Sequence, residues 1–191
     1  MNRIKNLKKE LLSDNWATLE KFNYQYQTED GNWESHVREV YDRGNGAAIA
    51  LYNKTKSTVI LTRQFRLPTY LNGNRSGLLI EVCAGLLDTT NPEDCIKRET
   101  EEETGYRINN VQKIFEAYMS PGSVTEIIHF FIGEYADTMK ISEGGGLDEE
   151  QENIEVIEID FEQAYNMIDE GSIRDAKTIV LLQYLKLHNM L

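Results

Sequence analysis

The chain has 191 residues, 40% of them hydrophobic and 27% charged, with a formal net charge of −12. That length supports one substantial core with a small appendage, and the composition is that of an ordinary globular protein. The negative balance argues against nucleic acid or an anionic membrane as partner, since both are gripped through Lys and Arg, but it leaves room for an anionic substrate offset by a metal ion and local cations.

Residues 1–13 hold no apolar run long enough for a signal peptide or membrane span, and read as a short frayed or docking segment. Only Cys83 and Cys95 are present, without Cys/His metal spacing. Both are expected to be small buried groups in a reducing cytoplasm. Trp16 follows the polar run Ser13-Asp14-Asn15, where it could stack on a purine base or simply pack. In 18–42, Phe22, Tyr24 and Tyr26 alternate with polar residues, Asp30-Gly31 makes a turn, and 33–41 returns as a second strand. A lone hairpin is marginal in water, so it must pack on the main domain or on another subunit. Arg43-Gly44-Asn45-Gly46 marks a boundary.

Beyond it, 47–52 and 58–65 read as strands joined by a polar turn. A loop with Pro68, Gly73 and Gly77 follows, then a strand at 78–83. Further strands are expected at 111–118 and 127–135. From 153 to 160 the period is two, with Ile154 and Val156 on one face and Ile157 and Ile159 on the other, as in a strand covered on both sides. Helices are predicted at 161–169 and from 174 to the end. Strands interleaved with few helices predict an α/β sandwich with a mixed sheet between helical layers.

The segment 84–106 is the most informative. Asn91 can cap a helix with Pro92 at its first position, Glu93 and Asp94 suit the positive first turn, and Gly105 can close it. Glu99, Glu102 and Glu103 then share one face, with Arg98 four residues before Glu102. Like charges so spaced repel unless a cation compensates, and an oxygen-only acidic cluster suits Mg²⁺ or Mn²⁺, ions that normally act on phosphate. The plainer alternative is a solvated acidic helix.

Three other stretches carry chemistry. Residues 143–152 form a glycine-hinged acidic loop, which fits either a mobile solvated loop or a lid delivering a base. Residues 119–126 contain the turn dipeptide Pro121-Gly122. Arg38-Glu39 and Arg63 to Arg66 place cations in a chain that has few to spare, and the planar guanidinium suits pyrophosphate. Arg63 fits strand-surface salt bridging, whereas Arg66 leaves its strand into a loop. Lys177 opens the last helix, solvated or reaching a substrate.

The run Arg98 to Tyr106, with Ala84-Gly85 upstream, closely resembles the Nudix box of Nudix hydrolases. Two departures stand out. The segment between Gly85 and Arg98 is one residue shorter than the usual pattern, with Thr90 or Asn91 where an acidic residue is expected. Thr100 also replaces an apolar residue. Residues 37–46, 63–66, 81–106 and 118–131 are most similar to the GDP-mannose pyrophosphatase branch. That resemblance implies a Nudix α/β/α sandwich over 44–191 and an N-terminal antiparallel β extension over 1–43, serving dimerisation and substrate contact. It implies Mg²⁺-dependent hydrolysis of GDP-mannose to GMP and mannose 1-phosphate, with Mn²⁺ as a substitute ion. The Ala84 carbonyl, Glu99, Glu103 and Glu152 would hold metal. Glu102, Glu103 and Glu152, with Glu150 second, would act in catalysis. Trp16, Arg38, Glu39, Arg66, Gly85, Glu126 and Lys177 would contact the substrate, in a homodimer whose N-terminal strands help build the partner's site. An ADP-ribose pyrophosphatase, a non-catalytic sugar-nucleotide sensor and, more remotely, a Ca²⁺-binding module are the alternatives.

Overall fold

The computed structural model describes residues 2–87, 91–147, 149 and 151–191. By contact the chain divides into two compact units. The first comprises residues 2–45 together with Tyr118–Ile127; the second is built from the described residues of Gly46–Ala117 and Ile128–Leu191.

The first unit is a three-stranded antiparallel sheet of β1 (Ile4–Asp14), β2 (Thr18–Gln27) and β3 (Trp33–Asp42), in that order. The β2–β3 hairpin is the expected one, and Gly31 takes the left-handed φ of 87° that its turn requires. The first strand corrects the expectation of a frayed segment: it pairs along its length with β2. Two irregularities, between Lys5 and Lys8 and between Leu11 and Ser13, break the alternation that would have shown it in the sequence. The 120–125 turn joins the end of β3, with Tyr41 N–H donating to Ser123 O at 2.8 Å and Thr125 N–H to Tyr41 O at 3.1 Å.

In the second unit β4 (Gly46–Asn53) is buried at every position. Its parallel neighbour is β9 (Ile127–Glu134), and β5 (Thr58–Phe65) pairs with it antiparallel, so the sheet is mixed. The main path runs β10–β5–β4–β9–β8, with β8 at Gln112–Tyr118 and β10 at Glu155–Asp160. Ala47, Ile49 and Leu51 on one face of β4 pack with Ile96, Tyr106 and Ile108, beneath helix α2 (Pro92–Thr104). Alternate residues point the other way, and β4 also touches α4 (Ala176–Leu187), which packs against α3 (Phe161–Asp169). Leu181, Leu182 and Leu185 of α4 are fully buried.

Three departures from expectation have identifiable causes. Pro68 sits in the first turn of a short helix, α1 (Leu67–Leu71), rather than in a loop; that is the one helical location where proline costs nothing. The strand expected at 78–83 splits into β6 (Leu78–Glu81) and β7 (Cys83–Leu86), because Val82 N–H leaves the ladder and donates to Thr178 Oγ1 at 2.8 Å. Strand β10 is not covered on both sides. It lies at the end of the sheet path with Val156, Ile157 and Ile159 only half-buried, while Ile154 is buried just before it. No described helix is long and apolar enough to cross a membrane.

Candidate active site

The acidic helix forms as its local signals require. The Asn91 side chain accepts from Glu93 N–H at 3.1 Å, Pro92 follows, and Gly105 closes the helix at φ 77°. Arg98 sits between two of the three carboxylates, donating to Glu102 at 2.8 Å and to Glu99 at 2.8 Å. Glu103 turns inward and is only 2% exposed, with Oε2 buried and lacking a hydrogen-bond partner among the described residues. Burial pushes the Glu103 carboxyl up to about 8. The Cys83 thiol and the Arg66 charge pull it down, and the charges of Glu152 and Glu99 raise it further. Cys83 is itself pushed well up by burial and by Glu103.

Strand β7 delivers the backbone of the site. Ala84 pairs with Ala48 and Gly85 with Ala47 of β4. A Cβ on Gly85 would lie 2.1 Å from the Glu99 carboxyl carbon, so only glycine lets that carboxylate settle against the strand.

The glycines of the 143–152 loop do more than hinge it. Gly145 N–H donates to Glu103 O at 2.9 Å and Gly146 N–H to Glu102 O at 3.1 Å, satisfying carbonyls that the end of α2 would leave bare. Gly144 sits so close that a Cβ would meet Glu103 O at 2.4 Å. Beyond this root the loop folds on itself: Ile154 N–H donates to Gly145 O at 3.1 Å, and the Glu152 carboxylate accepts from Leu147 N–H at 3.2 Å. Glu152 is thereby held near enough to Glu103 for its charge to be felt. Glu150 lies outside the described residues, as does Thr90.

Arg66 and Lys177 meet at a carboxylate outside the acidic motif, Glu81. Glu81 is buried, with Arg66 Nε 2.7 Å from Oε2 and Lys177 Nζ 3.4 Å from Oε1. Lys177 also pairs with Asp175 at 2.6 Å, so it is no free solvated lysine. The sequence did hold a signal, since a carboxylate closing the apolar run Leu78-Leu79-Ile80 must find cations when buried. Arg63 makes the strand-surface pair expected of it, with Glu155.

The second unit thus brings together Ala84, Gly85, Glu99, Glu102, Glu103, Glu152, Arg66 and Lys177. Oxygen-only donors around an orphaned buried carboxylate oxygen fit a hard divalent cation. Among the described residues, no three His, Cys, Asp or Glu side chains converge closely enough to hold one; Arg98 and the Leu147 amide bind the carboxylates instead.

The first unit carries the remaining candidates. Arg38, exposed on β3, donates to Val37 O at 2.7 Å and lines a groove with Tyr24, Val40, Tyr118 and residues 121–125. Its neighbour Glu39 is exposed. Trp16 is 69% exposed, with the Arg43 guanidinium 5.9 Å from its ring centre. Arg43 grips the buried Glu126 carboxylate, with Nε at 2.8 Å. The sequence marked Arg43 only as part of a boundary, because its partner lies 83 residues away.

Residues 3–41 match the family model of the GDP-mannose pyrophosphatase NudK N-terminal domain, and residues 42–182 match that of the NUDIX domain. A GDP-mannose pyrophosphatase of Yersinia enterocolitica is 54% identical over 189 residues, covering 99% of this chain and 98% of the relative. One from Yersinia pestis is 54% identical over 186 residues, 97% and 93% of the two chains. One from Klebsiella pneumoniae is 53% identical over 180 residues, 94% and 90%. Members of the NUDIX family generally depend on a divalent metal. With the family model spanning residues 42–182 and the acidic helix, its glycine cradle and its inward Glu103 all present, the chain belongs to the NUDIX family of hydrolases.

Proposed function

We propose that this chain hydrolyses the diphosphate of GDP-mannose, using Mg²⁺, to GMP and mannose 1-phosphate. The choice of sugar nucleotide follows the relatives, whose similarity extends over 99% of the chain in one case. The phosphate chemistry is carried by one observation, the buried Glu103 oxygen without a partner inside a carboxylate cluster. Glu99, Glu103, Glu152 and the Ala84 carbonyl are the groups that would hold the ion. When bound, Mg²⁺, or Mn²⁺ in its stead, neutralises charge on the diphosphate and makes nearby water more acidic.

The chain's own residues do the rest. Glu152, with Glu150 second, accepts the proton lost by water as its oxygen bonds to phosphorus and the bridging P–O bond breaks. Glu102, held by Arg98, keeps the helix face acidic. Arg66 and Lys177 hold diphosphate oxygens, and Gly85 keeps room for the Glu99 carboxylate. Trp16, Arg38, Glu39 and Glu126 contact the nucleotide sugar; the groove shared by Arg38 and the 121–125 turn supports a ligand there.

Residues 1–43 act as an extension of the hydrolase domain 44–191 and form a homodimer in which each copy's N-terminal strands help build the other's site. In support, β1 is a sheet edge with Ile4, Leu7 and Leu11 exposed.

The test is a panel of GDP-mannose and ADP-ribose with Mg²⁺ or Mn²⁺, products resolved by chromatography. GMP and mannose 1-phosphate from the preferred substrate are expected. Preference for ADP-ribose would reassign the substrate, and tight binding without phosphate release would make the chain a sensor.

A further inference from the structure

We propose that Glu81 is a positioning residue, fixing Arg66 and Lys177 on the diphosphate of the nucleotide sugar. It touches no reacting atom and acts through the two cations, so its role rests on the phosphate-binding function proposed above.

A carboxylate whose side chain is 4% exposed is costly unless paired, and Glu81 uses both oxygens, one on Arg66 Nε and one on Lys177 Nζ. Its position is over-determined. Asp175 Oδ1 takes the other side of Lys177 at 2.6 Å, while Asp175 Oδ2 caps α4 through Thr178 N–H at 2.9 Å and Thr178 Oγ1–H at 2.8 Å. Thr178 Oγ1 in turn accepts from Val82 N–H, the residue after Glu81. Side chains and backbone close a ring from Glu81 through Val82, Thr178, Asp175 and Lys177 back to Glu81. Arg66 hangs from this ring. Among the described residues its guanidinium is bonded through Nε alone, so Nη1 and Nη2 are left for phosphate oxygens. The guanidinium is also close enough to Glu103 for its charge to act there, which puts the clamp beside the acidic cluster.

The four charges, Arg66, Lys177, Glu81 and Asp175, cancel. An anionic substrate is therefore gripped because the cations are aimed, not because the patch is positive. Simple electrostatics and positioning then predict opposite signs for Glu81→Gln. Removing a negative charge near the substrate should lower KM if charge alone matters. Releasing Arg66 and Lys177 from their anchor should raise it.

The experiment measures GDP-mannose turnover at saturating Mg²⁺ for the parent, E81Q, R66Q and the double variant, with Mn²⁺ affinity measured by electron paramagnetic resonance without substrate. E81Q is expected to raise KM at least tenfold with kcat within threefold and Mn²⁺ affinity within twofold of the parent. The double variant is expected to be no worse than R66Q, because both changes disable one clamp. An unchanged or lowered KM, multiplying losses in the double variant, or a matching loss of Mn²⁺ affinity overturns the role. Should E81Q not fold, E81D keeps the charge but draws it back by one methylene, and the same coupling to Arg66 decides. A parent that neither binds nor cleaves GDP-mannose sinks the proposed function and this role together. An active parent beside an E81Q of normal KM sinks this role alone.

Discussion

Glu103 places a carboxyl where its charged form is least welcome. In the folded chain burial pushes it up to about 8, against an ordinary 4.5. Between those values the folded state keeps a proton that the unfolded state has lost. The stability of the metal-free protein therefore falls as pH rises from about 5 to about 8. Thermal melts in chelator at pH 5.5 and 8.5 should show this, and Glu103→Gln should remove that part of the slope; an unchanged slope would count against it. A divalent cation must displace the same proton, so its affinity should climb over this window, as titration in buffers of different ionisation heat would reveal. Glu103→Ala is expected to lower kcat by about a hundredfold, roughly 2.7 kcal/mol, while far-ultraviolet circular dichroism stays native. The three carboxylates and Arg98 could be read from sequence because helical spacing is local. That Glu103 alone turns inward could not, since Cys83, which borders it, comes from strand β7 rather than from the helix.

At the scale of elements, α2 and the glycine loop form one joint. Gly144 and Gly105 each sit where a Cβ would strike the other segment's backbone, at 2.4 Å from Glu103 O and 2.1 Å from Ser142 O, and both have positive φ. Gly144→Ala should cost at least about 1–2 kcal/mol, a fall in Tm of a few degrees for a chain of this size, with a disproportionate loss of activity because Glu152 is carried by the same loop. Asn91→Ala, which removes the cap and the Asn91 amide's bond to Asp94, should cost about 1 kcal/mol and leave kcat unchanged. A larger kinetic effect from Asn91 than from Gly144 would refute the joint. Helix α2 was legible to its caps because each signal lies within a turn of the residue it acts on. The break between β6 and β7 was not, since the group that captures Val82 N–H is Thr178, 96 residues on.

At the scale of the molecule, the first strand raises the question of assembly. Leu7 and Leu11 are 58% and 56% exposed on a sheet edge, amid the basic residues Arg3, Lys5, Lys8 and Lys9. If the proposed homodimer uses this edge, Leu7→Glu with Leu11→Glu should reduce the mass measured by light scattering from about twice 22.0 kDa to 22.0 kDa, and lower GDP-mannose turnover at least tenfold. A double variant that stays dimeric would place the interface elsewhere. The sequence by itself determined the acidic helix, the hairpin, most strand positions and the family, all of which rest on periodicity, caps and turn residues within a few positions of one another. Tertiary structure alone decided that residues 4–14 are a strand, that Arg43 belongs to Glu126, and that Glu81 gathers Arg66 and Lys177. A buried charge or a strand edge is satisfied by whichever group the fold carries to it, and chain order does not record that distance.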